Sequence, residues 1–138
     1  VAEIGASRPA SQECRMTGII ECLVDAMSIP GTVSAILIDP TGATPVAAEG
    51  ALNAEQSAIG LSEAFRAAME GVAQASAGDP IRIEDMIIKS SAGMHIIHPL
   101  ETMFGGPYLL CLRLDADRAN LALAWRRLQS LSNRLIDV

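Results

Sequence analysis

Eight consecutive residues, Thr32-Val33-Ser34-Ala35-Ile36-Leu37-Ile38-Asp39, are rich in β-branching and apolar at adjacent positions. Successive side chains of a strand point to opposite faces, so this run predicts a strand buried on both sides, near the middle of its domain. Pro40-Thr41-Gly42 then supplies turn chemistry, and Ala43 to Ala48 gives a second apolar run, so the stretch reads as a hairpin. Each face of the sheet it begins must be covered. Helical patterns before it, after it and at the C-terminal end are available to do so.

Before the hairpin, Met16, Ile19, Ile20, Leu23 and Met27 recur at the spacing of one helical face over Gln12 to Met27, with Ser11 as a candidate cap and Pro30-Gly31 as the stop. Val1 to Ser11 lacks periodicity and reads as a flexible tail, leaving 12–138 as one domain. After the hairpin, Asn53 and Gln56 form a capping pair that opens a helix running to Gly78-Asp79-Pro80. This helix has two stripes. Leu61, Phe65, Ala68, Met69 and Val72 are bulky enough to pack on a sheet, whereas Gly60, Ala64, Ala67, Ala68 and Gly71 form a line of small residues. An interior glycine costs about 1 kcal/mol relative to alanine in a helix, and close approach of another backbone is a reason to keep two.

Ile81 to Ser90 reads as a long strand, Met94 to Leu100 as its partner after Ser91-Ala92-Gly93, and Tyr108 to Leu114 as a strand apolar at nearly every position. Asp117 is the expected cap of a last helix carrying Leu121, Trp125, Leu128, Leu131 and Leu135. The expectation is an α+β sandwich of order αββαβββα: a five-stranded antiparallel sheet with one helix on one face and the two terminal helices on the other. Buried between helix and sheet, Trp125 would cost about 3 to 5 kcal/mol on truncation to alanine.

Charge and composition narrow the function classes. Of the 138 residues, 50% are hydrophobic and mean hydropathy is +0.32, yet no apolar run reaches the roughly 18 residues of a membrane span. The surplus apolar surface is therefore expected between subunits. A net charge of −6 with scattered basic residues disfavours nucleic acid as a partner. The N-terminal run does not read as a secretory signal, and Cys14, Cys22 and Cys111 read as buried, reduced thiols, so a cytoplasmic location is expected.

Signals for chemistry are few. His95 and His98 lie three apart on a strand and point to opposite faces, so no metal site is expected. Glu84 and Asp85, adjacent on a strand, diverge in the same way. Asp115 and Asp117 are explained as helix-start residues, and Lys89-Ser90 lacks the glycine-rich turn of a phosphate loop. Cys14 or Cys111 as a nucleophile is outweighed by its apolar pattern. Arg126-Arg127 reads as a solvated helix face and Gly105-Gly106-Pro107 as a connector. No catalytic residue and no cofactor is expected.

In this order of elements the chain resembles the roadblock family, the dynein-light-chain and MglB-type domains. The residues that carry the likeness are Ile29-Pro30-Gly31-Thr32-Val33, the Ile38-Asp39-Pro40-Thr41-Gly42 turn, and Asn120-Leu121-Ala122-Leu123-Ala124-Trp125-Arg126-Arg127-Leu128. The resemblance covers about Gln12 to Leu135. It implies a non-enzymatic homodimer in which the middle helix and third strand meet their symmetry mates, so that Gly60, Ala64, Ala67, Gly71, Ile83 and Ile87 are candidate interface residues. It also implies a platform for a small Ras-like GTPase in a bacterial signalling or polarity system, with Ser62, Glu63, Arg66 and Glu70 on the solvent side of the middle helix as the candidate contact surface. The alternatives are an adaptor in a sensor-kinase complex, or a small-molecule sensor with a pocket lined by Phe104, Tyr108 and Met94.

Overall fold

The computed structural model describes residues 10–101 and 107–136, with side chains from Arg15 onward. In chain order the elements are α1 (Ala10–Ala26), β1 (Thr32–Asp39), β2 (Thr44–Glu49), α2 (Ala54–Ala75), β3 (Met86–Ser90), β4 (Gly93–Glu101), β5 (Pro107–Leu114) and α3 (Leu121–Ile136). This is the expected αββαβββα order. The five strands form one open antiparallel sheet of order β2-β1-β5-β4-β3. The central strand is thus β5, and the hairpin begun by β1 lies to one side of it.

Alternation along the inner strands sorts the core into two layers. Ile36 and Ile38 of β1, Ile97 of β4, and Leu109 and Cys111 of β5 face α2, where Ala58, Leu61 and Phe65 meet them. Ala35, Leu37, Ile96, Leu110, Leu112 and Leu114 face the other way, against Cys22, Leu23 and Ala26 of α1 and Ala124, Leu128, Leu131 and Leu135 of α3. One helix therefore covers one face and the terminal pair covers the other, as the two-sided apolar strands require.

Local signals set most boundaries. The Asn53 side chain accepts from the Gln56 amide at 3.1 Å and caps α2. At the far end, the Gly78 amide donates to the Ala73 carbonyl at 3.1 Å, with Gly78 at φ +81°, which closes the helix. Pro45 is accommodated in β2 because the ladder is irregular there: the register shifts between Leu37 and Ile38, and Pro45 sits opposite Ile38.

Four expectations are corrected. Helix α1 begins at Ala10, so Ser11 lies inside it rather than capping it; the rest of the expected tail lies outside the described residues. The cap of α3 is Asn120, whose side chain accepts from the Leu123 amide at 3.1 Å, while Asp117 lies in the preceding turn with its amide bonded to Asp115 Oδ1. The third strand starts at Met86 rather than Ile81, and residues 81–85 form an irregular crossing segment. Trp125 is 45% exposed at the flank of α3, not sealed between helix and sheet, so the cost expected for a buried ring does not apply.

Gly93 opens β4 with φ +122°, and a Cβ there would lie 2.7 Å from the Leu114 carbonyl oxygen. Both the backbone conformation and the space exclude a side chain. Gly93→Ala is expected to lower stability by roughly 1 to 3 kcal/mol, measured by urea denaturation with an unchanged m-value.

Candidate functional site

The outer surface of α2 is the first candidate. Gly60, Ala64, Ala67 and Gly71 are spaced i, i+4, i+7 and i+11 and run along one face. Gly60, Ala67 and Gly71 are exposed and Ala64 half-buried. A Cβ added at Gly60 or Gly71 would meet nothing within 4 Å, so no contact among the described residues accounts for the absence of side chains there. On the neighbouring flank, Arg66 is held between Glu63 and Glu70, the latter at 3.4 Å. Its hydrogen bond to Glu63, reinforced by the charges of both carboxylates, raises the guanidinium pKa further. These three residues are solvent-facing. Ser62 is not: it is 8% exposed, and its Oγ is buried without a hydrogen-bond partner among the described residues.

The second candidate is the free edge of β3, which among the described residues pairs only with β4. Ile87 and Ile88 project to opposite faces and are 44% and 37% exposed. Ile83 is half-buried in the crossing segment and is not part of this strand. Ile88, which the sequence pattern did not single out, stands in register with His95 and Arg113 on the α2 side of the sheet. That row of side chains is a candidate part of the same surface.

A third arrangement was not anticipated. Asp85 of the crossing segment, His98 of β4 and Ser132 of α3 form a hydrogen-bonded chain: Asp85 Oδ1 to His98 Nδ1 at 2.6 Å, and His98 Nε2 to Ser132 Oγ at 3.1 Å. The other Asp85 oxygen accepts from the Trp125 indole N–H at 3.1 Å. A carboxylate only accepts, so Nδ1–H donates to Asp85, and Nε2 lies within hydrogen-bond distance of the serine hydroxyl. The group is largely shielded, with the His98 and Asp85 side chains 12% and 18% exposed and Ser132 at 4%. It borders an open trough of about 690 Å³ beside the crossing segment, where Phe65, Met69 and Leu109 lie on the α2 side, His98, Trp125 and Ser132 on the α3 side, and Arg82, Glu84 and Glu101 also line the space.

His95 and His98 do point to opposite faces. His95 lines a smaller cavity of about 250 Å³ on the α2 side, with Ser34, Ser57, Cys111 and Arg113. Among the described residues no group of three or more His, Cys, Asp or Glu side chains could hold a metal ion. The pocket expected from Phe104, Tyr108 and Met94 is not assembled. Met94 pairs opposite Leu114 and Tyr108 opposite Leu100, six residues apart along β4 or about 20 Å at the rise of a strand, and Phe104 lies outside the described residues. The Gly105-Gly106 part of the connector also lies outside them. Cys22 and Cys111 are buried free thiols, and burial pushes the Cys111 pKa up to about 12. It has no thiolate character to offer at neutral pH.

Burial, and then the charge of Arg113, lowers the pKa of His95. A histidine whose folded pKa is depressed favours the native state while neutral, so its contribution is complete above the ordinary value of about 6.5 and fades as pH falls toward the folded pKa. Imidazole titration by NMR is expected to place His95 below that value, and Arg113→Gln to bring it part of the way back.

No protein-family model matches the sequence, and no curated protein matches it either. Solved structures do resemble the fold. The gliding protein MglB from Thermus thermophilus superposes with a TM-score of 0.71 at 19% identity, covering 89% of each chain. An MglB structure described as having a tetrameric arrangement gives 0.72 at 19% identity, over 89% of this chain and 88% of that one. A Roadblock/LC7 domain from Streptomyces avermitilis gives 0.60 at 17% identity, over 86% and 89%. The helix on one face, the helix pair on the other and the sheet between them therefore give this chain the fold of the MglB and Roadblock/LC7 domain proteins.

Proposed function

We propose that this chain acts by binding, as a homodimeric roadblock-type platform for a small Ras-like GTPase in a bacterial signalling or polarity system. The observation that carries the dimer is the pairing of two open features on one molecule. A stripe of Gly60, Ala64, Ala67 and Gly71 leaves its two glycines open among the described residues, and strand β3 has a free edge bearing exposed Ile87 and Ile88. Two copies related by a twofold axis can join their β3 edges into one sheet and lay their α2 helices side by side, the small residues allowing the helix axes to approach closely. Ile88, His95 and Arg113, on the α2 side of the sheet near that edge, then become interior surface.

The GTPase assignment is supported by the sequence resemblance to MglB-type domains and by likeness of fold to an MglB described as a gliding protein. Glu63, Arg66 and Glu70 remain on the solvent side of α2 in such a dimer and offer a charged strip for the partner. Nucleotide hydrolysis, where it occurs, is the partner's chemistry in this reading. The chain's place is the cytoplasm, where such a partner would be met. Among the described residues, no helix is long and apolar enough to cross a membrane.

Sedimentation equilibrium at micromolar concentration is expected to give twice the chain mass. Ala67→Arg or Ile88→Lys is expected to give a monomer, because each places a charge where the two copies meet. A wild-type monomer would refute the dimer. Titration against Ras-like GTPases from the same genome, loaded with GDP or a GTP analogue, tests the partner. Arg66→Glu is expected to weaken that binding at least several-fold without changing the oligomeric state, and equal affinity in wild type and variant would remove the charged strip from the interface.

A further inference from the structure

The cavity of about 250 Å³ on the α2 side of the sheet has polar walls that the partner-binding reading does not use. Ser34 of β1, Arg113 of β5 and His95 of β4 stand opposite one another on three adjacent strands, so they form a row with neighbours about 5 Å apart. Ile36, Cys111 and Ile97, two residues along each strand, pack against α2, so the row faces the same side. Asn53 and Ser57, at the start of α2, line the same space. Ser34 is only 8% exposed, and its hydroxyl has no hydrogen-bond partner among the described residues. Water in the cavity can serve it, but an anionic oxygen accepts a hydrogen bond roughly twice as strongly as a neutral one. Arg113 supplies the charge: one of its nitrogens donates to the Ala92 carbonyl at 3.1 Å, which holds the guanidinium in place and leaves further N–H donors. Although the chain carries a net charge of −6, no carboxylate among the described residues lines this cavity. Glu49 pairs with Ala35 and so faces the other side of the sheet, and Glu55 on the first turn of α2 is exposed outside the lining.

We propose that this cavity binds a tetrahedral oxyanion, a phosphate group that is either free or carried on a small monoester. Arg113 supplies the opposite charge, Ser34 and Ser57 donate their hydroxyl protons to its oxygens, and His95 donates a ring N–H. The first main-chain amides of α2 have no partner within the helix and add positive partial charge on that side. Donors thus come from the sheet floor and from the helix, an arrangement that a tetrahedral anion meets more fully than a planar carboxylate. Every lining group belongs to one copy of the chain, so the site does not rest on the dimer. Burial and the charge of Arg113 hold the His95 pKa low. An anion beside both residues offsets the second cause, so binding raises that pKa and, reciprocally, protonation of His95 tightens binding. Cys111, the other titratable group in the lining, stays protonated, its pKa pushed up to about 12 by burial.

The test titrates the full chain with sodium phosphate and, separately, with phenyl phosphate at constant ionic strength, followed by amide and imidazole NMR. Saturable shifts at Ser34, Ser57 and His95 are expected with at least one of the two, while His98 on the other face stays unmoved. Tighter binding of phosphate assigns the free ion, and tighter binding of phenyl phosphate assigns a monoester. Sulfate, whose charge does not change where histidine titrates, is expected to raise the His95 pKa at saturation. Arg113→Gln is expected to weaken binding at least about tenfold and Ser34→Ala about two- to fivefold, with melting temperatures measured alongside. Absence of a saturable shift in folded wild-type protein with both phosphates, shifts of equal size with sodium chloride, or acetate bound as tightly as phosphate overturns the proposal. Undiminished binding by folded Arg113→Gln does the same. Because the first three outcomes are read on the wild type, the decision does not depend on the variants folding.

Discussion

Everything in this fold leans on the burial of β5. It is the central strand, hydrogen-bonded to β1 on one side and β4 on the other, and its side chains feed both halves of the core: Leu109 and Cys111 toward α2, Leu110, Leu112 and Leu114 toward α1 and α3. With Leu109, Leu110 and Leu114 fully enclosed, a strand of this kind leaves no face for solvent. At about 25 cal/mol for each Å² of apolar surface removed from water, the requirement to cover both faces dominates the choice of architecture. The helices are where they are because that sheet cannot be left bare on either side.

The three helices meet this requirement differently. Helices α1 and α3 pack on the sheet and also on each other, tied at the rim by Arg134 to Asp25 at 2.7 Å and by Arg127 to the Ser28 hydroxyl at 2.8 Å. Such exposed links contribute little energy, but they fix the relative placement of the pair. Among the described elements, helix α2 stands alone on its face and turns its smallest residues outward. The asymmetry separates two kinds of surface: a finished one under the helix pair and an unfinished one around α2 and β3. Between them, the crossing segment passes from one face to the other, and Asp85 anchors its end to β4 through His98 and to α3 through Trp125.

Much of this was legible in the sequence because it is local or periodic. Two-sided strands, the Asn53 cap, the Leu61 and Phe65 part of the bulky stripe of α2 and the order of elements follow from patterns within about twenty residues, whereas Val72 of that stripe is exposed. The misreadings have a common physical origin in tertiary context. Ile81 and Ile83 alternate with Arg82 and Glu84 as in a strand, but those residues are needed to carry the chain across the sheet, so pairing starts only at Met86. Ser62 neighbours exposed Glu63 in sequence, yet lies four residues after buried Ala58 and so shares its inward side. Asp85, His98 and Ser132 are separated by 13 and 34 residues. No local periodicity announces such a meeting. The one available signal was the parity of β4, which sends His98 to the side opposite His95 and therefore toward α3.

The two rims of the sheet are unequal. Along β2, Pro45 offers no main-chain N–H and the ladder is already dislocated beside it, so an arriving strand would find gaps in its hydrogen bonding. The rim at β3 runs from Met86 to Ser90 without a proline. The rim at β3 is therefore the more regular template for strand addition. In the proposed dimer each copy would use up the β3 rim of its mate, so that growth would terminate at two instead of propagating into a fibre.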